Sequence, residues 1–355
     1  MDFQSIALPP ELRHQLFGIA KIGKFPFDAN FFGKIILFRT AVFQLKIVFA
    51  NFVSHDRDNL HDPFLMKDMD VAVERLHRAV VSGESILVYG DYDVDGTTAV
   101  ALLYSFVRRF TDKVDFYIPD RYDEGYGVSF KGIDYAVESG AGLIVTLDCG
   151  IKAIDKVEYA ASKGIDMIIC DHHLPEDSLP AAVAVLDPKR EDCHYPFDDL
   201  SGCGVGFKLV QAYSARYGVP FETLVPLLDL LVVSIASDLV TMVGENRILA
   251  HFGLKQLNEN PCTGLQAMIN LSSLEPGHVS IDDIVFKIGP RINAAGRMET
   301  GRLAVELLTS RSLSEAMQIG EKINESNNER KNIDREITLC TQRRDLRLPW
   351  SQWRW

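Results

Sequence analysis

Ile86-Leu-Val-Tyr-Gly-Asp-Tyr-Asp-Val-Asp-Gly-Thr-Thr-Ala-Val100 decides how this chain of 355 residues is read. The apolar, β-branched run Ile86–Tyr89 predicts a buried strand that breaks at Gly90. Helix-forming sequence resumes at Thr97 and continues through Leu103. Asp91, Asp93 and Asp95 therefore crowd a single strand-to-helix turn. One of them is enough to cap the helix. The other two repel each other without serving packing, unless a divalent cation offsets the charge. The turn therefore reads as a metal site.

Working outward, the same pattern recurs. Residues 60–80 carry apolar positions at helical spacing and lead through Ser82-Gly83 into the first strand. A strand at Val114–Pro119 is followed by the Gly/Tyr loop Asp120–Val128 and a helix around Ile133–Glu138. The run Leu143–Leu147 ends at Asp148-Cys149-Gly150, and a helix is expected over 151–163. The run Met167–Cys170 ends at Asp171-His172-His173, and Ala182–Pro188 repeats the pattern. Strands alternating with helices at this period imply right-handed βαβ units and an α/β fold built on a doubly wound parallel sheet, with a helical connecting segment after it. Several apolar strands thus deliver Asp or His at their C-terminal ends, the edge where open α/β sheets build sites. The apolar segment Leu227–Ala236 delivers Asp238 as a further contributor. Read singly, Asp148 or Asp238 is an ordinary helix-capping acid, and the two histidines are a core residue and its surface neighbour.

Composition narrows the chemistry. With 49 acidic and 37 basic residues the formal net charge is −12, so no global basic field draws the chain to nucleic acid or an anionic membrane. A polyanion must be held by a local patch or through metal. The six cysteines form no CxxC pair and no zinc spacing, which fits reduced thiols in a cytoplasmic protein. The N-terminus lacks the pattern of a signal peptide, and the apolar stretch 35–53 is interrupted by Arg39, Gln44 and Lys46, so no membrane span is expected. Carboxylates with one or two imidazoles and no thiolate suit Mn²⁺ or Mg²⁺, and two ions sharing a carboxylate fit hydrolytic phosphoryl transfer. An acidic turn in place of a Gly-rich cradle disfavours a dinucleotide cofactor.

Asp91–Gly96 (DYDVDG), Asp148 of LDCG, Asp171-His172-His173 and Asp238 of ASD resemble, in this order, the motifs of the DHH phosphoesterase superfamily. PDRYDEGYGV (119–128), LSGCGVGFK (200–208), GENRILAHFGL (244–254) and KIGPRINAAGRM (287–298) narrow the resemblance to the RecJ-type family of single-strand-specific 5′ to 3′ DNA exonucleases, over about residues 60–337. The resemblance implies metal ligation by Asp93, Asp95, Asp148, His172 and Asp238, with Asp148 bridging two Mn²⁺ or Mg²⁺ ions and acting in catalysis. It places His173 against the scissile phosphate. Where the superfamily often carries a metal-binding His, this chain has Tyr89, and Asp91 is the expected substitute. Arg121, Tyr126, Gly204, Arg291, Asn293 and Arg297 are expected to bind substrate. Arg291, Asn293 and Arg297 are read on a Pro/Gly-punctuated turn, and Gly202, Gly204 and Gly206 as a backbone nest for phosphate, with surface arginines and close packing as the alternative readings, and structural turn residues as the alternative for Arg121 and Tyr126.

By resemblance the partners are single-stranded DNA, single-strand-binding protein and a RecQ-type helicase, and the chain is expected to be a monomer. The expected organisation is an unassigned segment 1–57, a DHH domain 58–240, a helical extension 241–311, a linker helix 312–340 and an atypical tail 341–355. The second (DHHA1) and oligonucleotide-binding (OB) domains of the family are expected to be absent. Two further readings stay open: a small-substrate phosphodiesterase acting on short oligonucleotides or cyclic dinucleotides, and an inactive fragment.

Overall fold

A computed structural model of the chain describes residues 59–298 and 301–343, with side chains described through residue 296 and over 301–332. The chain divides into two units, Met1–Ser54 and His55–Trp355. The described residues all belong to the second. The unassigned segment 1–57 and the tail beyond residue 343 lie outside them.

Five strands form one sheet: β1 Ser85–Gly90, β2 Val114–Tyr117, β3 Ala141–Leu147, β4 Asp166–Cys170 and β5 Ala184–Leu186, in the order β2-β1-β3-β4-β5. All four pairings are parallel. Alternate residues supply opposite faces. Ile86 and Val88 of β1, Leu143 and Val145 of β3, and Ile168 and Cys170 of β4 enter one apolar cluster. Leu87, Tyr89, Ile144, Met167 and Ile169 enter the other. Burial on both faces explains why these strands read as unbroken apolar runs rather than alternating ones.

Helices α1 (Met69–Ser82), α2 (Val94–Val107) and α5 (Gly202–Tyr217) cover the first face. Helices α3 (Phe130–Glu138) and α4 (Ile154–Ser162) cover the second. The chain leaves β1 for the edge strand β2 and then returns past β1 to β3. The strand order therefore reverses between β1 and β3, the switch point at which doubly wound sheets open a crevice.

The C-terminal half is helical: α6 (Leu228–Ser237), α7 (Gly244–Glu259), α8 (Thr263–Leu271), α9 (Gly289–Met298), α10 (Gly301–Thr309) and α11 (Leu313–Arg343). Two expectations are corrected here. KIGPRINAAGRM is not a turn: a single π-turn over Ile284–Ile288 runs into α9. Pro290 follows directly on the π-turn, within a run that is helical from residue 281 to 298. The segment expected as a polar linker is α11, and its first half belongs to the core. Ala316, Ile323 and Asn327 are fully or almost fully buried, with Ala316 and Ile323 in the same cluster as the first sheet face.

Candidate metal centre

Each strand ending at the switch point supplies one part of the site. After β1 the chain turns at Gly90, and Asp93 becomes the N-cap of α2, its Oδ1 accepting from Gly96 N at 3.0 Å. Only this acid caps. Asp95, one helical position on, is 2 % exposed and reaches across to the start of α5. Its carboxylate accepts from Gly202 N at 2.6 Å, Cys203 N at 2.8 Å and Ser234 Oγ of α6 at 2.6 Å.

Asp148 follows β3 with φ of 58°, a left-handed conformation that Asp tolerates better than most residues but at a cost of order 1 kcal/mol. A Cβ at Gly202 would lie 2.5 Å from Asp148 Cβ, so only glycine lets α5 close on this carboxylate. Asp148 Oδ1 is buried and has no hydrogen-bond partner. Asp238 caps the C-terminus of α6 and is brought to the same place.

His172 shows what the cluster is built for. Its Nδ1 lies 2.9 Å from Leu200 O, which can only accept, so Nδ1 carries the proton. Burial lowers the pKa of the ring, so it is neutral and Nε2 presents a lone pair. That lone pair lies 3.1 Å from Asp148 Oδ1, 3.7 Å from Asp95 Oδ2 and 3.8 Å from Asp238 Oδ2. Four acceptors face one another with no donor between them. The ligand atoms of Asp148, His172 and His173, and of Asp95, His172 and Asp238, lie within 4.8 Å of one another.

Electrostatics agree with geometry. Burial, then the charges of Asp95 and Asp93, push Asp148 well above the carboxylate range. Burial and the same two neighbours push Asp238 up to about 7. Burial and Asp95 raise Asp93, while burial and Asp93 push Asp91 up to about 7. Such a set is costly as bare anions and is stabilised by a divalent cation. The thiols of Cys149 and Cys203, each next to an acid of the cluster, are pushed far up by burial and are not thiolates. The donor set is oxygen and imidazole, which fits a hard divalent ion.

His173 has a different task. Its Nδ1 is 2.7 Å from Asp171 Oδ1, and its Nε2 is 3.2 Å from Tyr126 Oη. Asp171 also accepts from Ile151 N at 2.9 Å, His172 N at 2.7 Å and His173 N at 3.2 Å. Burial would raise Asp171, but the hydrogen bond and charge of His173 hold it below the usual range. The same hydrogen bond raises His173, which keeps its proton more readily than an ordinary imidazole.

The remaining expected residues divide. Tyr89 is not near the ligand cluster: its hydroxyl donates to Gly127 O at 3.0 Å and accepts from Ser129 N at 3.1 Å, pinning the Gly/Tyr loop. Asp91 adds charge and accepts from Gly127 N at 3.4 Å, and its Oδ2 is buried without a partner, but its oxygens, like those of Asp93, are not part of the groups within 4.8 Å. Arg121 lies 5.3 Å over the ring of Tyr92, which meets Tyr126 edge-on, so these side chains form one rim. Gly204 does not belong to a phosphate nest: its N–H donates to Ser201 Oγ at 3.1 Å, and the N–H groups of Gly202 and Cys203 are taken by Asp95. Arg291 sits on α9, its guanidinium bonded to Asn324 Oδ1 at 3.0 Å and Lys287 O at 2.6 Å. Asn293 is half-buried on the same helix, and the side chain of Arg297 lies outside the described residues. The helix reaches the site through Gly296, where a Cβ would stand 2.1 Å from Tyr92 O.

Sequence reasoning assigned no role to three groups. Asp171 positions both histidines, Ser234 holds Asp95, and Asp187 at the end of β5 is buried with Oδ2 unpartnered and is pushed by burial to about 7. Asp187 carried a signal, since it ends an apolar strand as Asp148 and Asp171 do.

Residues 85–235 match the N-terminal domain of the DHH family. The chain is 38% identical over 290 residues to the single-stranded-DNA-specific exonuclease RecJ of Bacillus subtilis, covering 81% of this chain and 36% of that protein. It is 35% identical over 291 residues to RecJ of Escherichia coli, covering 78% and 50%. The chain thus spans between about a third and half of the length of these relatives. A crystal structure of exonuclease RecJ bound to manganese superposes with a TM-score of 0.70 at 29% identity, covering 77% of this chain and 68% of that one. With a parallel sheet whose strand ends bring the four motifs to one centre, residues 85–235 form a domain of the DHH family, and the chain is similar over most of its length to RecJ exonucleases.

Proposed function

We propose that this chain hydrolyses phosphodiester bonds of single-stranded DNA from the 5′ end, using two Mn²⁺ or Mg²⁺ ions. The observation that carries the reading is the lone pair of His172 facing the oxygens of Asp148, Asp95 and Asp238, with Asp148 Oδ1 left without any donor. Asp93, Asp95, Asp148, His172 and Asp238 would hold the ions, with Asp91 adding field. Bound ions of this kind acidify water and offset the charge of an in-line displacement at phosphorus. His173, kept protonated by Asp171, donates from Nε2 to a phosphate oxygen and stabilises the charge that develops there. Tyr126 gives that nitrogen an oxygen partner in the absence of substrate. Arg121 and Tyr126 offer a cation and an aromatic face to an unpaired strand. Arg291, Asn293 and Arg297 would take part in binding the strand, as the resemblance implies.

The domain boundaries proposed are a DHH domain over 58–240, its helical extension to 311, and α11 as the connecting helix. Partnership with single-strand-binding protein and a RecQ-type helicase, action as a monomer and a cytoplasmic location follow the family. No helix among the described residues is long and apolar enough to cross a membrane.

The test is release of nucleotides from 5′-labelled single-stranded DNA in Mn²⁺, beside a duplex and an Asp93→Ala variant. Release that needs the metal, the single strand and Asp93 supports the reading. A folded, Mn²⁺-binding protein that cleaves a dinucleotide but not a long strand overturns it in favour of a small-substrate phosphodiesterase.

A further inference from the structure

Residues 118–129 join β2 to α3 through a turn and an irregular stretch. One carboxylate gathers both ends of it. Glu124 Oε1 accepts from Asp120 N at 2.8 Å, Ser129 Oγ donates to Oε2, and Tyr117 Oη of β2 stands 3.0 Å from both oxygens. A carboxylate has room for several donors, and here three come from three different parts of the segment. The turn closes on itself as well: Glu124 N donates to Asp120 O at 2.9 Å, and Asp120 Oδ1 accepts from Tyr122 N at 2.8 Å and Asp123 N at 2.9 Å.

The second anchor is Tyr89. Its buried hydroxyl bridges Gly127 O and Ser129 N, and its ring stacks on that of Tyr117 with centroids 5.4 Å apart, so the two anchors share one wall. Between them the backbone supplies little restraint of its own. Tyr126 stands between Gly125 and Gly127, at φ of 85° and 79°, so the anchors rather than the backbone fix where its ring points. That ring is exposed, and its hydroxyl reaches His173 Nε2 at 3.2 Å. Arg121 leaves the same segment to lie over Tyr92. A glycine-flanked tip without anchors must be ordered each time a strand binds, and that ordering is subtracted from affinity.

Resting on the nuclease reading above, we propose that Glu124 is a positioning residue for the substrate strand: with Tyr89 it locks residues 120–129 so that Arg121 and Tyr126 meet an unpaired strand beside His173. Glu124 touches neither the metal ligands nor the reacting phosphate. Its effect runs through the two side chains it holds in place.

The test is steady-state release of nucleotides from 5′-labelled single-stranded DNA in Mn²⁺, with binding of the same strand in Ca²⁺ read by fluorescence anisotropy. Glu124→Gln keeps one acceptor oxygen and turns an N–H₂ towards donors. It should raise KM about ten-fold while kcat stays within about two-fold and Mn²⁺ affinity is unchanged. In a chain that already carries Arg121→Ala and Tyr126→Ala, the same change should add nothing. A merely structural role would lower kcat and stability in both backgrounds alike. Should Glu124→Gln fail a circular dichroism check, Tyr89→Phe, which deletes only the second anchor, carries the same expectation. An unmoved KM in the folded variant, or a full ten-fold rise in the chain lacking Arg121 and Tyr126, overturns the inference. Release with KM unmoved overturns the lock alone. No release from the unaltered chain, with strand affinity in Ca²⁺ still falling in Glu124→Gln, overturns the nuclease reading and keeps the lock.

Discussion

Two buried charged clusters lie along α5, one at its start and one near its middle, and they are solved in opposite ways. Near the middle of the helix, Lys208 is fully buried. Its Nζ meets Glu245 Oε1 at 2.5 Å, Gln211 Oε1 at 3.0 Å and His61 O at 3.2 Å. Tyr195 Oη donates to the other oxygen of Glu245 at 2.5 Å, and His61 N to Oε1 at 2.9 Å. Every charge there has its counterpart within the chain. At the start of the same helix, Asp95, Asp148, His172 and Asp238 turn only acceptors towards one another. A buried charge must be compensated. One cluster is a clamp complete in itself; the other is complete only with a cation from outside.

The comparison breaks first at catalysis. Asp148→Asn keeps the shape and removes the charge most deeply placed in the cluster. Release of nucleotides in Mn²⁺ should fall by about four orders of magnitude, or roughly 5 kcal/mol on the barrier. Undiminished release would remove Asp148 from the reaction.

Next in size is the clamp. Lys208→Met strands Glu245 in the interior and should cost about 3–5 kcal/mol in urea unfolding. Lys208→Met with Glu245→Leu should recover most of that. In the acceptor cluster the sign reverses: Asp238→Asn, measured in EDTA, should leave stability unchanged or raise it, because it relieves repulsion.

Metal sharpens the contrast further. Mn²⁺ at 100 times its dissociation constant should stabilise the protein by about 2.7 kcal/mol. Asp148→Asn should lose that gain, while a variant of the clamp should keep it.

The pH dependence is smaller and has a definite sign. Asp91 and Asp238 are both pushed up to about 7, far above a free carboxylate. Between about pH 4 and pH 7 the folded protein keeps protons that the unfolded chain has lost, so these two groups make stability fall as pH rises. Urea melts in EDTA across that window should show the slope, and saturating Mn²⁺ should flatten it. A slope that is the same with and without metal would count against the cluster as the metal site.

Smallest is Tyr126→Phe, which removes the oxygen 3.2 Å from His173 Nε2. It should change kcat by no more than a few-fold and shift the alkaline limb of the pH profile, while a strictly structural role would move neither.

The strand ends were readable because buried parallel strands are continuous apolar runs, and an acid directly after one stands out. The nest assigned to Gly202, Gly204 and Gly206 failed for a reason no local pattern shows. The N–H groups of Gly202 and Cys203 belong to Asp95, more than a hundred residues earlier. Gly289-Pro290 signalled a turn, yet the chain passes through it from the π-turn into α9 without leaving the helix. The polar sequence of α11 suggested a linker, because the residues it buries at helical spacing, Ala316, Gly320, Ile323, Ser326 and Asn327, include a single large apolar side chain.

The sequence by itself determined the sheet, the edge at which chemistry-bearing residues emerge, and an acid and imidazole donor set suited to a hard divalent ion. These follow from period, run length and residue type, which are local properties. Only the tertiary structure decided which acids converge, that Asp171 bonds Nδ1 of His173, and that Leu200 O turns Nε2 of His172 inward. Those outcomes depend on contacts between segments far apart in the chain, where one hydrogen bond to a distant carbonyl orients the ring nitrogen that faces the acids.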